Sequence, residues 1–212
     1  MTKPSVLIAD DHTLIVEALR KLLEPQYEVV ATVADGRALL DVASKVRPDV
    51  IVIDIGMPLL NGLAAGQQLK RLMPKVKLVY VTMNEDPDIA AEALESGASV
   101  YLLKSSAAAE LLRGIHEALK GGSYVTPRVR RAMDESFIRS PLRRSASKTL
   151  TPRQTEVLQL LAEGRSMKEV AAVLNVTPRT VAFHKYRIME VIGARSNAEL
   201  IHFAFKNHLM AA

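Results

Sequence analysis

Residues 50–58 read VIVIDIGMP, an apolar run interrupted by one carboxylate, Asp54. The run Val50–Ile53, continued by Ile55, is typical of a strand that is buried on both faces of a parallel sheet. An isolated charge in such surroundings is costly unless another group pairs with it. The stretch therefore predicts a buried parallel strand and, for Asp54, a partner elsewhere in the chain.

The sequence around this strand alternates between strand-like and helix-like segments through residue 120. Five such strand–helix units predict an α/β fold with a five-stranded, doubly wound parallel sheet. In sheets of this kind the ligand site lies beyond the carboxyl ends of the strands. The predicted strands are Ser5–Ala9, Tyr27–Val33, Val50–Ile53, Lys77–Val81 and Val100–Leu103. The predicted helices are His12–Leu23, Gly36–Lys45, Gly62–Leu72, Asp86–Ser96 and Ala107–Lys120.

The last part of the chain, residues 149–212, predicts a small all-α domain of four helices. Three of these helices begin with the spacing of a capping box, and one begins with a Thr-Pro pair. The turn Leu174–Val176, between the second and third helices, is short enough for a helix-turn-helix. The four start signals are Thr151–Gln154, Ser166–Glu169, Thr177–Pro178 and Ser196–Glu199.

A segment of different composition separates the two domains, which we predict at residues 1–121 and 149–212. Residues 122–148 follow a Gly-Gly pair and become rich in Ser and Arg. Pro127 can begin a short helix that runs to Arg139, and the remainder is typical of a flexible tether. We therefore predict a linker that is partly helical.

The composition limits the class of protein. The chain contains no cysteine, which excludes a disulfide framework and thiolate metal or redox sites. Its apolar runs are too short for a signal peptide or a membrane span, so we expect a cytoplasmic protein without a membrane partner. Residues 1–121 carry 13 Lys/Arg and 16 Asp/Glu, a net charge of −3, whereas residues 122–212 carry 15 and 7, a net charge of +8. This asymmetry predicts that the second part binds nucleic acid.

Polar side chains follow four of the predicted strands. Asp10 and Asp11 follow the first strand, Asp54 the third, Thr82 the fourth and Lys104 the fifth. Because parallel strands end at the same edge of a sheet, we expect these side chains to lie together. Three carboxylates repel one another, and a divalent cation bound by oxygen ligands, Mg²⁺ above all, removes that repulsion. With a lysine and a hydroxyl available for phosphoryl oxygens, the pocket is suited to phosphoryl transfer onto a carboxylate.

The same residues carry a family resemblance. Asp10-Asp11, Asp54 followed by Met57-Pro58 and Gly62, Thr82 and Lys104, at these spacings, resemble the receiver domain of two-component response regulators. The resemblance spans residues 5 to about 120. It implies that Asp54 accepts a phosphoryl group from a sensor histidine kinase.

The resemblance also implies roles for the residues around Asp54. Asp11 and Asp54 are implied to bind Mg²⁺ directly, Asp10 mainly through water, and Gly56 through its backbone carbonyl. Thr82 is implied to move towards the phosphoryl group when it arrives. Tyr101 stands where the family has its switch aromatic, which turns inward when the threonine moves.

The segment TVAFHKYRIMEVIG, residues 180–193, predicts a helix with two distinct faces. At 100° per residue, the apolar face carries Val181, Ile188 and Ile192, and we expect it to pack on the domain core. The opposite face presents Arg179, Ala182, Phe183, Tyr186 and Glu190. Arginine and aromatic residues that point outward suit the major groove of DNA, where apolar groups contact thymine methyls. Packing of Phe183 on the linker or the first domain is the alternative that the sequence leaves open.

Residues 149–209 resemble the helix-turn-helix domain of LuxR-type (NarL/FixJ class) regulators. The resemblance implies that the helix from Pro178 to about Val191 is the recognition helix and that it reads double-stranded DNA. The residues that carry it are Leu150-Thr151, Glu156-Val157-Leu158, Leu161-Ala162, Gly164, Ala171, Leu174, Val176, Thr180-Val181, His184, Ile188 and Gly193. The predicted DNA contacts are Lys168, Thr177, Arg179, Thr180, Ala182, Phe183, Lys185, Tyr186 and Arg187.

Together these patterns predict a transcriptional regulator that is controlled by phosphorylation and binds DNA as a homodimer. The last helix offers an apolar face, part of it core and the remainder a candidate dimer seam, formed by Leu200, Ile201, Ala204 and Phe205. One alternative is a DNA-binding regulator that does not depend on phosphorylation. The enzymatic alternative is a small aspartyl-phosphate phosphatase, which requires a second carboxylate two residues after the nucleophile. The chain has Gly56 there, so we expect no enzyme beyond self-phosphorylation and self-dephosphorylation of Asp54.

Overall fold

The computed structural model describes residues 3–139, 150–207 and 209. Its N-terminal domain is built on six parallel strands: β1 (Ser5–Ala9), β2 (Glu28–Val33), β3 (Val50–Ile53), β4 (Lys77–Thr82), β5 (Val100–Leu103) and β6 (Tyr124–Val125). Their order in the sheet is β2-β1-β3-β4-β5-β6. The order reverses direction at β1, so the carboxyl ends of β1 and β3 flank the switch point at which ligands bind in such sheets.

The sixth strand was not predicted from the sequence. It has only two residues and lies in the segment predicted as linker, where no alternation of apolar and polar residues marks a strand. It joins the sheet because Val125 pairs with Tyr101 and the amide of Thr126 donates to the carbonyl of Tyr101 over 3.0 Å. The remaining strands match the prediction closely, apart from Tyr27, which precedes β2, and Thr82, which belongs to β4.

Helices cover both faces of this sheet, which confirms the doubly wound architecture. They are α1 (Thr13–Leu23), α2 (Gly36–Val46), α3 (Gly62–Leu72), α4 (Pro87–Glu95), α5 (Ala107–Leu119) and α6 (Pro127–Arg139). Helices α1 and α5 pack on one face, through residues such as Leu23 and Ile115. Helices α2, α3 and α4 pack on the other, through residues such as Leu39, Leu69 and Ala90.

Helix α6 occupies the range predicted for a linker helix, and it packs on the N-terminal domain. Val129 is buried in the same core as α4, Met133 lies against it, and Arg128 forms an ion pair of 2.7 Å with Glu85. The segment from residue 124 to residue 139 is therefore part of the sheet domain in structural terms. Residues 140–149, with the rest of the predicted tether, lie outside the described residues.

The C-terminal domain consists of the four predicted helices, α7 (Pro152–Ala162), α8 (Met167–Leu174), α9 (Pro178–Ile192) and α10 (Asn197–Lys206). Each begins at its predicted cap, because the side chains of Thr151, Ser166, Thr177 and Ser196 all accept a hydrogen bond from an amide in the first turn. Asn175 adopts the left-handed conformation and turns the chain from α8 into α9. The two helices form the expected helix-turn-helix.

The two domains are docked through α7. Glu156 accepts hydrogen bonds from Arg37 of α2 and Gln68 of α3, each over 3.2 Å. Gln159 and Glu163, further along the same side of α7, contact the loop between β3 and α3. This loop directly follows Asp54. The C-terminal domain, the candidate for DNA binding, therefore contacts a segment next to the acidic pocket.

Candidate functional site

The carboxyl ends of the strands bring all five predicted pocket residues to one edge of the sheet. The amide of Asp54 donates to the carbonyl of Ala9 over 2.8 Å, which holds the end of β3 beside the Asp10-Asp11 pair. On the other side, the amide of Lys104 donates to the carbonyl of Thr82, also over 2.8 Å. The backbone pairing of the sheet therefore fixes the relative positions of these side chains before any ligand binds.

Lys104 is the partner of Asp54 that the opening stretch required. Its ammonium nitrogen lies 2.7 Å from Asp54 Oδ2 and 2.8 Å from Asp10 Oδ2, and all three side chains are buried. The contact with Asp54 is a hydrogen bond. The contact with Asp10 is a buried ion pair.

The burial of this pocket changes the proton affinities of its groups. Burial raises the pKa of Asp54, and the hydrogen bond and charge of Lys104 offset only part of that rise. Burial lowers the pKa of Lys104, but its contacts with Asp10 and Asp54 outweigh burial and raise that pKa overall. Lys104 is therefore a permanent cation in the pocket, while Asp54 is a carboxylate that a further positive charge would stabilise.

The donor atoms fit a divalent cation. Oxygen atoms of Asp10, Asp11 and Asp54 and a ring nitrogen of His12 all lie within 4.8 Å of one another. Asp10 Oδ2 is buried with the Lys104 ammonium 2.8 Å away, and a carboxylate oxygen with one such partner keeps a further lone pair for a metal or its water. Carboxylate oxygens in a partly open site are the ligands that Mg²⁺ prefers. The backbone of Gly56 lies close enough to the Asp54 carboxylate to lower its pKa slightly.

His12 lies in the pocket beside the two aspartates. Its Nδ1 lies 3.0 Å from Oδ1 of Asp10 and 3.0 Å from Oδ1 of Asp11. Its backbone amide also donates to Asp10 Oδ1 over 2.9 Å. His12 immediately precedes α1, and these contacts orient the two aspartates at the start of that helix.

A short chain of hydrogen bonds leads from Thr82 to Tyr101. The Thr82 hydroxyl accepts from the amide of Asn84 over 3.2 Å, and the carbonyl of Asn84 accepts from the Tyr101 hydroxyl over 2.9 Å. Tyr101 is completely buried among the residues of β6 and α6. The inward position that the resemblance assigns to the phosphorylated state is therefore already occupied in this structure. The backbone of Asn84 is the link between the two side chains.

The outward face of α9 is exposed although the domains are docked. Phe183 is 58% exposed and Tyr186 is 69% exposed, so neither side chain packs on the first domain or on the described part of the linker. Val181 and Ile188 are fully buried in the domain core, as the helix periodicity predicted. The other predicted DNA contacts are exposed or half-buried: Lys168, Thr177, Arg179, Thr180, Ala182, Lys185 and Arg187.

The packing of the last helix shows that part of the predicted dimer seam is wrong. Leu200 and Ala204 are buried in the core of the C-terminal domain, where they pack with α7 and α9, and they are not available to a second chain. Ile201 and Phe205 lie on the other side of α10 and are 41% and 54% exposed. Only these two residues remain candidates for dimer contacts.

Comparison with known proteins assigns the family. A model of the response regulator receiver domain matches residues 6–116, and a model of bacterial regulatory proteins of the luxR family matches residues 148–204. This chain is a response regulator. It joins a receiver to a LuxR-type DNA-binding domain, and response regulators of this class are transcription regulators whose DNA binding depends on phosphorylation.

The response regulator is similar along its whole length to characterised relatives. The oxygen regulatory protein NreC of Staphylococcus aureus is 33% identical over 213 residues, which covers 97% of this chain and 98% of the relative. A structure of the response regulator RcsB of Salmonella typhimurium is 28% identical with a TM-score of 0.66, covering 96% of this chain and 97% of the other. A structure of two RcsB dimers bound to two parallel DNAs gives a TM-score of 0.60 at 28% identity, covering 95% and 98% of the two chains.

Among the described residues, no helix has the length and apolarity needed to span a bilayer.

The interdomain residues Gln159 and Glu163 were not predicted as functional. The only signal in the sequence was a polar residue, Gln159, between the leucines of an apolar run in α7.

Proposed function

We propose that Asp54 is the phosphoryl acceptor of this response regulator and that a sensor histidine kinase is the donor. The observation that carries the proposal is the position of the Asp54 carboxylate at the open end of β3, 2.7 Å from the Lys104 ammonium and beside Asp10 and Asp11. A nucleophilic carboxylate, a fixed cation and further carboxylates for a metal are the parts that phosphoryl transfer to aspartate requires.

The proposed transfer forms one bond and breaks one bond. An oxygen of Asp54 attacks the phosphorus of a phosphohistidine, the P–N bond breaks as the new P–O bond forms, and the histidine nitrogen leaves with its electron pair. Lys104 then holds a phosphoryl oxygen instead of Oδ2 of Asp54, and the Thr82 hydroxyl donates to another. Asp11, Asp54 and the carbonyl of Gly56 would hold Mg²⁺ directly and Asp10 would hold it through water, and the metal would supply positive charge for the phosphoryl oxygens.

The DNA-binding part of the proposal rests on α9. Lys168, Arg179, Lys185 and Arg187 contact backbone phosphates, and Ala182, Phe183 and Tyr186 meet base edges in the major groove. Thr177 and Thr180 place the amino-terminal end of α9 at a phosphate. Two half-sites require two chains, and the RcsB dimers solved on DNA support a dimer here as well, with Ile201 and Phe205 at its seam.

Phosphorylation can be tested by mass spectrometry of the full chain. After incubation with MgCl₂ and phosphoramidate, we expect the wild-type chain to gain one phosphoryl group and Asp54→Asn to gain none. If Asp54→Asn still gained a phosphoryl group, the assignment of Asp54 as the acceptor would be wrong.

Control of DNA binding is a separate measurement. Operator fragments selected from the source genome should bind the phosphorylated wild-type chain more tightly than the unphosphorylated chain, and Asp54→Asn should not respond to the phosphodonor. Equal affinity with and without the phosphoryl group would favour the regulator that is independent of phosphorylation.

A further inference from the structure

The loop between Asp54 and α3 has polar backbone groups that its own domain does not satisfy. These are the carbonyl of Met57 and the amides of Leu59 and Asn61. Within the described residues, their hydrogen bonds go to the side chains of Gln159 in α7 and Glu163, which caps the end of α7, in the DNA-binding domain. Backbone groups at a buried interface need such partners, and in the docked state Gln159 and Glu163 supply them.

Gln159 makes the central contacts of this interface. Its Oε1 accepts from the amide of Asn61 over 2.7 Å, and its Nε2 donates to the carbonyl of Met57 over 3.0 Å. The second proton of Nε2 goes to Glu163 Oε1 over 2.8 Å, and the same Glu163 oxygen accepts from the amide of Leu59 over 3.0 Å. Gln159 is completely buried. Its amide bridges both ends of the loop, which no aliphatic side chain can do.

Leu59 gives a second, independent sign that the loop is adapted to the DNA-binding domain. Its backbone has a φ of +65°, a left-handed conformation that leucine rarely adopts and that is usually left to glycine or asparagine. Its side chain packs against the hydrophobic core of the DNA-binding domain. A leucine at this strained position is explained by that packing, because nothing in the turn itself favours a branched apolar residue.

The loop is tightly connected to the phosphorylation pocket. The amide of Gly62, next to Asn61, donates to the carbonyl of Ile55 over 2.9 Å. A Cβ atom on Gly62 would lie 2.1 Å from the carbonyl oxygen of Asp54, so the two backbones are in direct contact. At the other end, only Ile55 and Gly56 separate Asp54 from Met57, the residue whose carbonyl Gln159 holds. Movement of the loop therefore changes the surroundings of Asp54.

We propose that Gln159, a residue of the DNA-binding domain, is a positioning residue for the chemistry of Asp54. By holding Met57 and Asn61, it fixes the peptide of Gly56 beside the acceptor and so favours metal binding and phosphorylation. The inference rests on the proposed function of Asp54. Because coupling between two sites is reciprocal, occupation of the pocket also stabilises the contact between the loop and α7.

The test compares the full-length wild-type chain with Gln159→Leu and Gln159→Glu. Leucine removes both hydrogen bonds to the loop, whereas glutamate keeps the acceptor for Asn61 but loses the donor to Met57. Mg²⁺ affinity is measured by NMR titration with MgCl₂, and phosphorylation by the initial rate with phosphoramidate. For both variants we expect Mg²⁺ affinity and initial rate to fall by about fivefold, the lower part of the usual range for coupled sites.

A third readout follows the contact itself. In the wild-type chain, MgCl₂ should slow hydrogen exchange of the Leu59 and Asn61 amides, which donate to Glu163 and Gln159. In Gln159→Leu these amides should exchange faster, and MgCl₂ should slow them less. A loss of packing alone would not produce this metal dependence.

The matched control is Gln68→Leu, the same change at the same interface. Gln68 donates a hydrogen bond to Glu156, and among the described residues no hydrogen bond joins it to the loop, so we expect wild-type Mg²⁺ affinity and phosphorylation rate. Far-ultraviolet circular dichroism checks that each variant is folded. If the folded Gln159 variants bind Mg²⁺ and react as fast as the wild type or faster, the inference is wrong. That result leaves the acceptor assignment intact as long as Asp54→Asn is unreactive.

Discussion

The hydroxyl of Tyr101 donates a hydrogen bond of 2.9 Å to the backbone carbonyl of Asn84, the residue whose amide donates to Thr82. A side chain on β5 is thereby tied to the loop after β4, close to the proposed phosphoryl site. The two hydrogen bonds connect the side chains of Thr82 and Tyr101 through the backbone of Asn84.

Tyr101→Phe removes this bond without changing the shape of the side chain. We expect the free energy of unfolding to fall by about 1 kcal/mol, because the carbonyl of Asn84, a half-buried residue, loses its partner. Urea unfolding followed by circular dichroism measures the change. Tyr186→Phe is the control, since Tyr186 is 69% exposed, and it should leave the stability unchanged. Equal stability of Tyr101→Phe and the wild type would show that the bond contributes nothing.

Lys104→Met removes the only lysine that contacts Asp10 and Asp54 in the described part of the chain. Because two buried carboxylates then face each other without a cation, we expect the free energy of unfolding to fall by about 3 kcal/mol in the absence of metal. MgCl₂ should raise the melting temperature of this variant more than that of the wild type. Lys120→Met, at an exposed position, serves as the control. A variant as stable as the wild type without Mg²⁺ contradicts the prediction.

The raised pKa of Asp54 predicts a pH dependence of metal binding. Protons and Mg²⁺ compete for the same carboxylate, so the increase in melting temperature caused by MgCl₂ should be smaller at pH 5 than at pH 7.5. Thermal unfolding at the two pH values, with and without MgCl₂, measures the difference. In Asp54→Asn the increase should be small at both.

In the metal-free protein, Asp54 gives the stability the opposite pH dependence. Its folded state holds the Asp54 proton more tightly than the unfolded chain does, so this group's contribution to stability is full below the unfolded pKa. The contribution is lost as the pH rises through the folded pKa.

The metal-binding prediction is contradicted if MgCl₂ raises the melting temperature equally at pH 5 and pH 7.5. Asp54 would then not be a ligand that must lose a proton to bind Mg²⁺.

Phe183→Ala and Tyr186→Ala test the recognition surface. Both side chains are exposed, so we expect each change to leave the melting temperature unaltered while it weakens binding to selected operator fragments by about tenfold, or roughly 1.4 kcal/mol. Fluorescence anisotropy with labelled DNA measures the affinity. Leu14→Ala, on the receiver and 85% exposed, is the control for loss of an exposed apolar side chain. Unchanged operator affinity in both variants would remove these aromatics from the interface.

The parts of the site that the sequence predicted follow from simple periodicities. Asp54 and Lys104 come directly after apolar runs, and parallel strands bring such positions to one edge whatever the details of packing. The helices of the second domain were equally predictable. Ser166 and Glu169, for example, form a capping box, which marks the start of a helix through local hydrogen bonds alone. In each case the information lies within a few consecutive residues.

The parts that were missed depend on contacts between distant segments. Gln159 follows Leu158 and precedes Leu160, and nothing local states that its amide meets a loop 98 residues earlier in the chain. Leu200 could be assigned to core or seam only after the packing of α10 on α7 was known. The two residues of β6 form a strand only because β5 offers them an edge.

That short sixth strand has a consequence for how the receiver can be isolated. A chain ended after residue 121 would leave the backbone of β5 as a bare edge and would uncover the apolar surface beneath Val129. Exposed edges of this kind pair with other chains and lead to aggregation, whereas a two-residue strand followed by a helix gives a neighbouring molecule little to bind. The segment from Tyr124 to Arg139 thus protects the sheet against self-association.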